Sequence, residues 1–434
     1  MTDRDSVATR WLGVSWWLLL GAVIVLPAIT SAEYIEFRLI GIELNGRFVA
    51  YAAAATVAAV GAAAALLSRS LRFPPWLILA AVFLAWLMVT TAAALQPPRE
   101  WFPSLLRWLL YFSAAVVAIG WATRHGWQRA TSLFVTSLAL AVIIPAAWGL
   151  FELVTGSAPM LNDAPRISGS MVGHPVAFSL MLIASSLILL PFILQFGRRR
   201  LLAGVAGLLL LYALILFTYT RLTTVVALLV GMTTVAFVPA VRQVRLRRAA
   251  IGCVMGIALF VVAIPFLDAR FDITISPGGP GSEMGEGSED GSAIDIGIDN
   301  STALRMRTHE LGFGYVAASP VLGHGVGSFD RLFAEDTGLE GVAPHDDLLL
   351  VAVESGVIGF AMFVALYGMI GITLLLRVLR APPGTGSLQV GSLAAFGAVN
   401  VLGVIHNPTY FPEFQLPIWI ALALSLTISD PQER

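Results

Sequence analysis

The sequence contains no lysine: all 26 of its basic residues are arginine. It has one cysteine, Cys253, inside an apolar run, which excludes a disulfide framework. Charge is scarce. Only 12% of the 434 residues are charged and 57% are hydrophobic, roughly half the charge of a soluble chain. Mean hydropathy is +0.83. These values rule out a set of soluble domains and turn a domain count into a count of membrane spans. A net charge of −1 excludes a nucleic-acid partner. No glycine-rich phosphate-binding loop is present, so the chain is not a nucleotide-driven pump. Cys/His pairs at metal-ligand spacing are missing, and so is a G-x-S-x-G nucleophile site. The acids of 283–299 lack EF-hand spacing. No metal and no cofactor is expected. No small-residue cleavage site closes the first apolar segment, so that segment reads as a retained helix.

Long apolar runs dominate what is there. A spanning helix needs roughly 20 mostly apolar residues. Twelve segments qualify, near 11–30, 48–67, 74–95, 104–122, 131–154, 176–196, 201–219, 222–240, 250–267, 354–376, 388–405 and 413–429. The fold class is therefore an all-α polytopic membrane protein of about 12 transmembrane helices. Only Tyr219, Thr220 and Arg221 separate the seventh and eighth segments, so these form a tight hairpin at the membrane surface. Arginine placement in short loops sets orientation. With the N-terminus inside, 16 of the 26 arginines fall on the cytoplasmic side, in clusters such as Arg198–Arg200 and Arg242–Arg248. The other ten are spread over longer outer segments. Both termini are then cytoplasmic.

Three regions follow: residues 1–267 with spans one to nine, 268–350 as one large outer loop, and 351–434 with spans ten to twelve. The first part of the loop, 268–300, is rich in glycine, serine and acids, a composition that cannot bury a core and reads as a flexible insertion. The second part, 301–347, is different. A helix opens at Ser301, a cap candidate, and ends at Ser319-Pro320. A glycine-rich turn, Gly323-His324-Gly325-Val326-Gly327, follows, and then His345-Asp346-Asp347 leads into the tenth span.

The candidate reactive groups crowd at the outer rim. Arg221 opens the eighth span, where it either snorkels at the interface or meets an anion beside the free N–H groups of the helix end. Arg305 and His309 lie four apart and share a helix face, while Arg307 points elsewhere. These form either a solvated helix or a second cation for the same anion. Arginine suits phosphate because its fork donates two hydrogen bonds and keeps its charge. His345 has the chemistry of a general base, and Asp346 and Asp347 would raise its basicity if they lie near it. The two acids could equally cap the tenth helix. Arg166 and His174 flank the outer mouth of the sixth span, and Arg107 lies in the outer part of the fourth, where an intramembrane charge is by default a functional hypothesis. Glu354 could pair with one of these arginines, and His406-Asn407 lies in the last outer loop.

The stretch from Arg305 to Gly359 resembles the O-antigen ligase and O-antigen polymerase superfamily, transferases of lipid-linked glycans with a GT-C-like fold. That family has an arginine opening a helix and, fifteen residues on, a Pro-x-x-Gly-x-Gly turn; here these are Arg305, then Pro320, Gly323 and Gly325. It next has a histidine, an amide or serine, nine residues and Gly-x-x-Gly; here these are His345, Asp346, then Gly356 and Gly359. Asp346 departs from the family's Asn, Ser or Gln, and His309 stands where tryptophan is common. The Thr220-Arg221 hairpin resembles the family's membrane-edge arginine.

The resemblance implies a metal-independent, inverting glycosyltransferase of the bacterial inner membrane with its active loop in the periplasm. The donor would be a glycan on undecaprenyl diphosphate. The acceptor would be a glycolipid such as a lipid A core, or a second lipid-linked glycan. Arg221 and Arg305 would meet the diphosphate, and His345 would take the acceptor proton. Arg307, Arg166, His174, Arg107 and His309 would bind substrate. An O-antigen or exopolysaccharide polymerase of the same superfamily is the nearest alternative, and a protein-glycosylating member is a further one. A polysaccharide transporter or flippase is an alternative of another class, but it would place charge at the membrane midplane.

Overall fold

Hydropathy of this kind forces helix, because a backbone in lipid must satisfy its own hydrogen bonds. The computed structural model of the chain describes residues 3–29, 36–39, 42–68, 74–95, 97–161, 164–169, 174–195, 197–218, 221–237, 301–339, 342–381, 386–404 and 406–427. Thirteen α-helices lie among them. In chain order they are α1 (Asp3–Val25), α2 (Gly46–Leu67), α3 (Pro75–Ala93), α4 (Pro98–His125), α5 (Trp127–Thr155), α6 (Pro175–Ile193) and α7 (Arg198–Phe217). They continue with α8 (Arg221–Phe237), α9 (Ser301–Ala318), α10 (Ser328–Thr337), α11 (Asp347–Arg380), α12 (Ser387–Gly403) and α13 (Pro412–Thr427). Two small antiparallel hairpins, Glu36–Leu39 with Ile42–Asn45 and Met160–Leu161 with Ala164–Pro165, punctuate the loops.

The protein is an all-α polytopic membrane protein. Eight helices are long and apolar enough to cross a membrane: α1 to α7 and α11. The remaining described segments of the twelve read from hydropathy are α8, α12 and α13, of 17, 17 and 16 residues. The ninth segment, 250–267, Cys253 and the insertion 268–300 lie outside the described residues. The last helix, α13, is described as far as Thr427. It is buried along its whole length from Pro412 to Leu426, so protein rather than lipid surrounds it. Around it pack α4, α6 and α12, with α1, α5 and α11 beyond. Trp419 of α13 stacks on Tyr111 of α4 at 6.4 Å and meets Phe112 edge-on at 5.1 Å. Such aromatic pairs add about 0.5–1.5 kcal/mol each beyond the area they bury.

The helix read over 301–318 is present as α9, and it ends before Ser319-Pro320. Its Gly312 lets α9 lie close on α11, where an added Cβ would come within 2.7 Å of Leu349. A second apolar cluster, Tyr315, Phe329, Phe333, Leu349, Leu350 and Val353, joins α9 and α10 to the first turns of α11. The loop helices thus form a small module seated on one end of the bundle.

The element that places this module is a break in α11. Gly356 has φ +66 and ψ −175, which interrupts the helix. Against that break lies the turn 320–325. Val357 N–H donates to Pro320 O (2.8 Å), Gly325 N–H to Glu354 O (2.9 Å), and His324 N–H to Val353 O (2.9 Å). The two motif glycines meet here. A Cβ on Gly323, at φ +71, would stand 2.5 Å from Gly356 N, and one on Gly356 would stand 2.2 Å from Val321 O. The spacing of the Pro-x-x-Gly-x-Gly and Gly-x-x-Gly motifs is therefore a docking code: each glycine is the clearance for the other's backbone. On the N-terminal side of the break, Asp347 reaches Thr409, which lies beyond the end of α12.

Candidate functional site

The short loop 404–411, between α12 and α13, is the hub of the loop-bearing end. It contains a single 3-10 turn, Pro408–Tyr410. Three groups tie it down. Tyr111 of α4 donates from its hydroxyl to Thr409 O at 3.0 Å. Asp347 accepts from the Thr409 hydroxyl at 2.6 Å and from Thr409 N–H at 3.3 Å. Arg107 of α4 lays its guanidinium over the Tyr410 ring, 4.1 Å from the centroid, and donates to Tyr410 O at 3.3 Å and to Ser104 Oγ at 2.6 Å. A stacked, desolvated arginine of this kind is worth about 2 kcal/mol to the contact.

This anchoring places His406 across from His345, edge to face, with ring centroids 6.5 Å apart. Arg305 of α9 is the third member of the group, and its charge acts on both rings. No carboxylate neutralises Arg305 among the described residues. Burial, Arg305 and His309 together hold the His345 imidazole below its ordinary range, so its neutral, proton-accepting form persists. Burial, Arg305 and His345 push His406 down to about 4. Two neutral imidazoles beside a bare guanidinium can bind an anion and accept a proton. His345 also carries backbone strain. Its φ of +54 lies in the left-handed region, which costs a non-glycine residue of order 1–3 kcal/mol.

The acids next to His345 do not serve it. The expectation that Asp346 and Asp347 raise its basicity is overturned, because both are turned to other work. Asp346 caps α11, accepting from Leu348 N–H (2.8 Å) and Leu349 N–H (3.1 Å) with one oxygen. Its other oxygen stands 3.5 Å from His309 Nε2. Asp347 is buried on Thr409.

The remaining predicted residues separate. His309 shares a face with Arg305, as their spacing requires, and its Nδ1 sits 2.7 Å from Arg305 O. Arg307 points away and pairs with Glu310 at 2.9 Å on the exposed side of α9. Glu354 holds the turn rather than an arginine: its Oε1 accepts from Gly327 N–H at 2.8 Å. His174 precedes α6, with its ring 6.3 Å from Phe411 at the far end of the hub loop. Arg166 lies in the loop 164–169, whose Ile167 N–H reaches Phe217 O at the end of α7. Glu152 holds that loop through Ser168 N–H (2.8 Å) and Gly169 N–H (2.9 Å). Arg221 opens α8, as read from the sequence; its side chain lies outside the described residues. Among the described residues, no three His, Cys, Asp or Glu side chains gather as a metal centre.

Residues 205–364 match the O-antigen ligase family. The match contains Arg221, α9, the docked turn and the break in α11, and it supports the O-antigen ligase/polymerase superfamily and a glycosyltransferase-type enzyme. No curated protein matches the chain. The matched segment leaves out the hub loop, and so leaves out His406. The sequence places His406, with Asn407, only in the last outer loop. Nothing local marks it as a neighbour of His345, because the contact depends on how α11 and α12 pack.

Proposed function

We propose that the protein transfers a glycan from an undecaprenyl diphosphate carrier to a hydroxyl of a second glycolipid, in the manner of an O-antigen ligase, on the periplasmic face. The observation that carries this reading is the unneutralised Arg305 beside the neutral His345 at the loop-bearing end of the bundle. The acceptor oxygen attacks the anomeric carbon as its proton passes to His345. The bond from that carbon to the phosphate oxygen breaks, and the diphosphate leaves on its lipid. Direct displacement inverts the anomeric centre. Arg305 and Arg221 stabilise the charge that grows on the leaving diphosphate. They supply the positive charge that a divalent metal provides elsewhere.

The test is turnover of a synthetic undecaprenyl diphosphate-linked oligosaccharide by the purified protein in nanodiscs, with a glycolipid acceptor. His345→Ala and Arg305→Ala should both abolish product, and Arg305→Lys should remain poor because lysine cannot fork. Wild-type turnover by His345→Ala would reject the general-base role. A deletion strain reads the acceptor. Full-length glycan left on carrier means ligase, loss of polymer length means polymerase, and repeats trapped inside would overturn the enzyme reading in favour of a flippase.

A further inference from the structure

The docked turn carries two side chains that its hydrogen bonds do not explain. Val321 and Leu322, at its tip, are 52% and 42% exposed, although backbone clearance is the whole business of their neighbours Gly323 and Gly356. Their position on α11 says what covers them. Pro320 O accepts from Val357 N–H, so the tip stands at the level of Val357. Val357 and Ile358 are themselves exposed, and the exposed apolar face continues down α11 through Val364, Ile372 and Leu379. In a spanning helix that face meets lipid. Arg377 and Arg380 close the opposite end of α11, where arginines mark an interface. From Val357 to Arg377 the rise is about 30 Å at ~1.5 Å per residue. That equals the roughly 30 Å thickness of the hydrocarbon layer. Val357 therefore marks the boundary of that layer on the loop-bearing side, and the apolar tip lies against the same boundary.

We propose that Val321 and Leu322 dip into the outermost acyl layer of the bilayer and hold the α9–α10 module at the membrane surface. The occupant of this surface is bilayer lipid, because the patch is continuous with the lipid-facing side of α11. Because the turn is fixed on the break at Gly356, the wedge sets the height of α9, and with it of Arg305, above the acyl chains. The inference rests on the packing of α11 alone and stands whether or not the transfer reaction is as proposed.

Site-directed spin labelling of the full chain tests it. Cys253→Ser removes the single native thiol. Val321→Cys and Leu322→Cys then carry the label in turn, with Val364→Cys as the lipid reference and Glu335→Cys, on the charged face of α10, as the water reference. The proteins are placed in phosphatidylethanolamine/phosphatidylglycerol nanodiscs. Collision with oxygen is compared with collision with a water-soluble nickel chelate. The expected oxygen-to-nickel ratio at 321 and 322 is several-fold above that at 335 and close to that at 364. A ratio equal to that at 335 would place the tip in water and overturn the proposal. Shielding from both reagents would also overturn it, because another part of the chain would then cover the tip. Both side chains are already exposed, so if labelling at one position unfolds the protein, the other still decides.

Discussion

Two polar clusters flank the hub loop, and they are built on opposite principles. On one side Arg47 of α2 pairs with the buried Glu413 of α13 at 3.0 Å, with the Tyr51 hydroxyl bonded to both. Phe411 lies 5.8 Å from the Arg47 guanidinium. On the other side His345 and His406 lie edge to face and the Arg305 charge acts on both, with no described carboxylate to balance the guanidinium. The first cluster closes its charge on itself and joins α2 to α13. The second leaves positive charge unbalanced and two imidazoles able to accept a proton. Opposite charges a few ångströms apart satisfy each other and hold structure, whereas an unbalanced cation can attract an anion.

That contrast can be broken at several points. His345→Ala and Arg305→Ala should lower turnover by about 10²–10⁴-fold with no change in melting temperature, read by product formation and thermal unfolding of the same preparations. Glu413→Gln should do the reverse. It removes the Glu413 carboxylate from the partly buried Arg47, at about 3–5 kcal/mol of stability. If Glu413→Gln melts like the wild type, the structural reading of that cluster fails. Gly323→Ala should misplace the module, since its Cβ has no room against Gly356 N and the backbone is left-handed there. A loss of about 1–3 kcal/mol is expected from the backbone alone, together with reduced turnover. Asp346→Ala removes a helix cap for about 1 kcal/mol, and Asp346→Asn should restore most of it.

The smallest expected effect is on pH dependence. His345 must be neutral to accept a proton, and its surroundings hold it below the usual histidine value of about 6.5. kcat/KM should therefore stay flat as pH falls through that value and decline only below it. Relief of the Arg305 charge should move the acid limb upward, measurable on the residual activity of Arg305→Gln. An acid limb at the ordinary histidine value in the wild type would mean that burial and Arg305 do not act on His345.

Much of this was legible in the sequence. Arg305 and His309 share a face because they are four apart, and α9 runs from Ser301 to the residue before Ser319-Pro320 as its flanking signals require. The spacing of His345, Gly356 and Gly359 marked the region where the turn docks on α11, although its reason, the contact between Gly323 and Gly356, did not show. Asp346 and Asp347 illustrate the limit. Adjacent in sequence to His345, they read either as its partners or as caps of the tenth span; successive side chains at a helix start point in different directions, so Asp346 became the cap and Asp347 an anchor on Thr409. Arg107 was marked by its charge within a span, but the sequence could not say that Tyr410, 303 residues away, would lie under it.

The sequence by itself determined the membrane class, the helical segments and the position of the loop module, because hydropathy and helix boundaries are local properties summed along a chain. Only the tertiary structure decided which arginine stays unbalanced, which acids become caps and anchors, and which histidine faces His345. Those outcomes turn on a backbone break at one glycine and on packing between α4, α11, α12 and α13, and no residue carries that information alone.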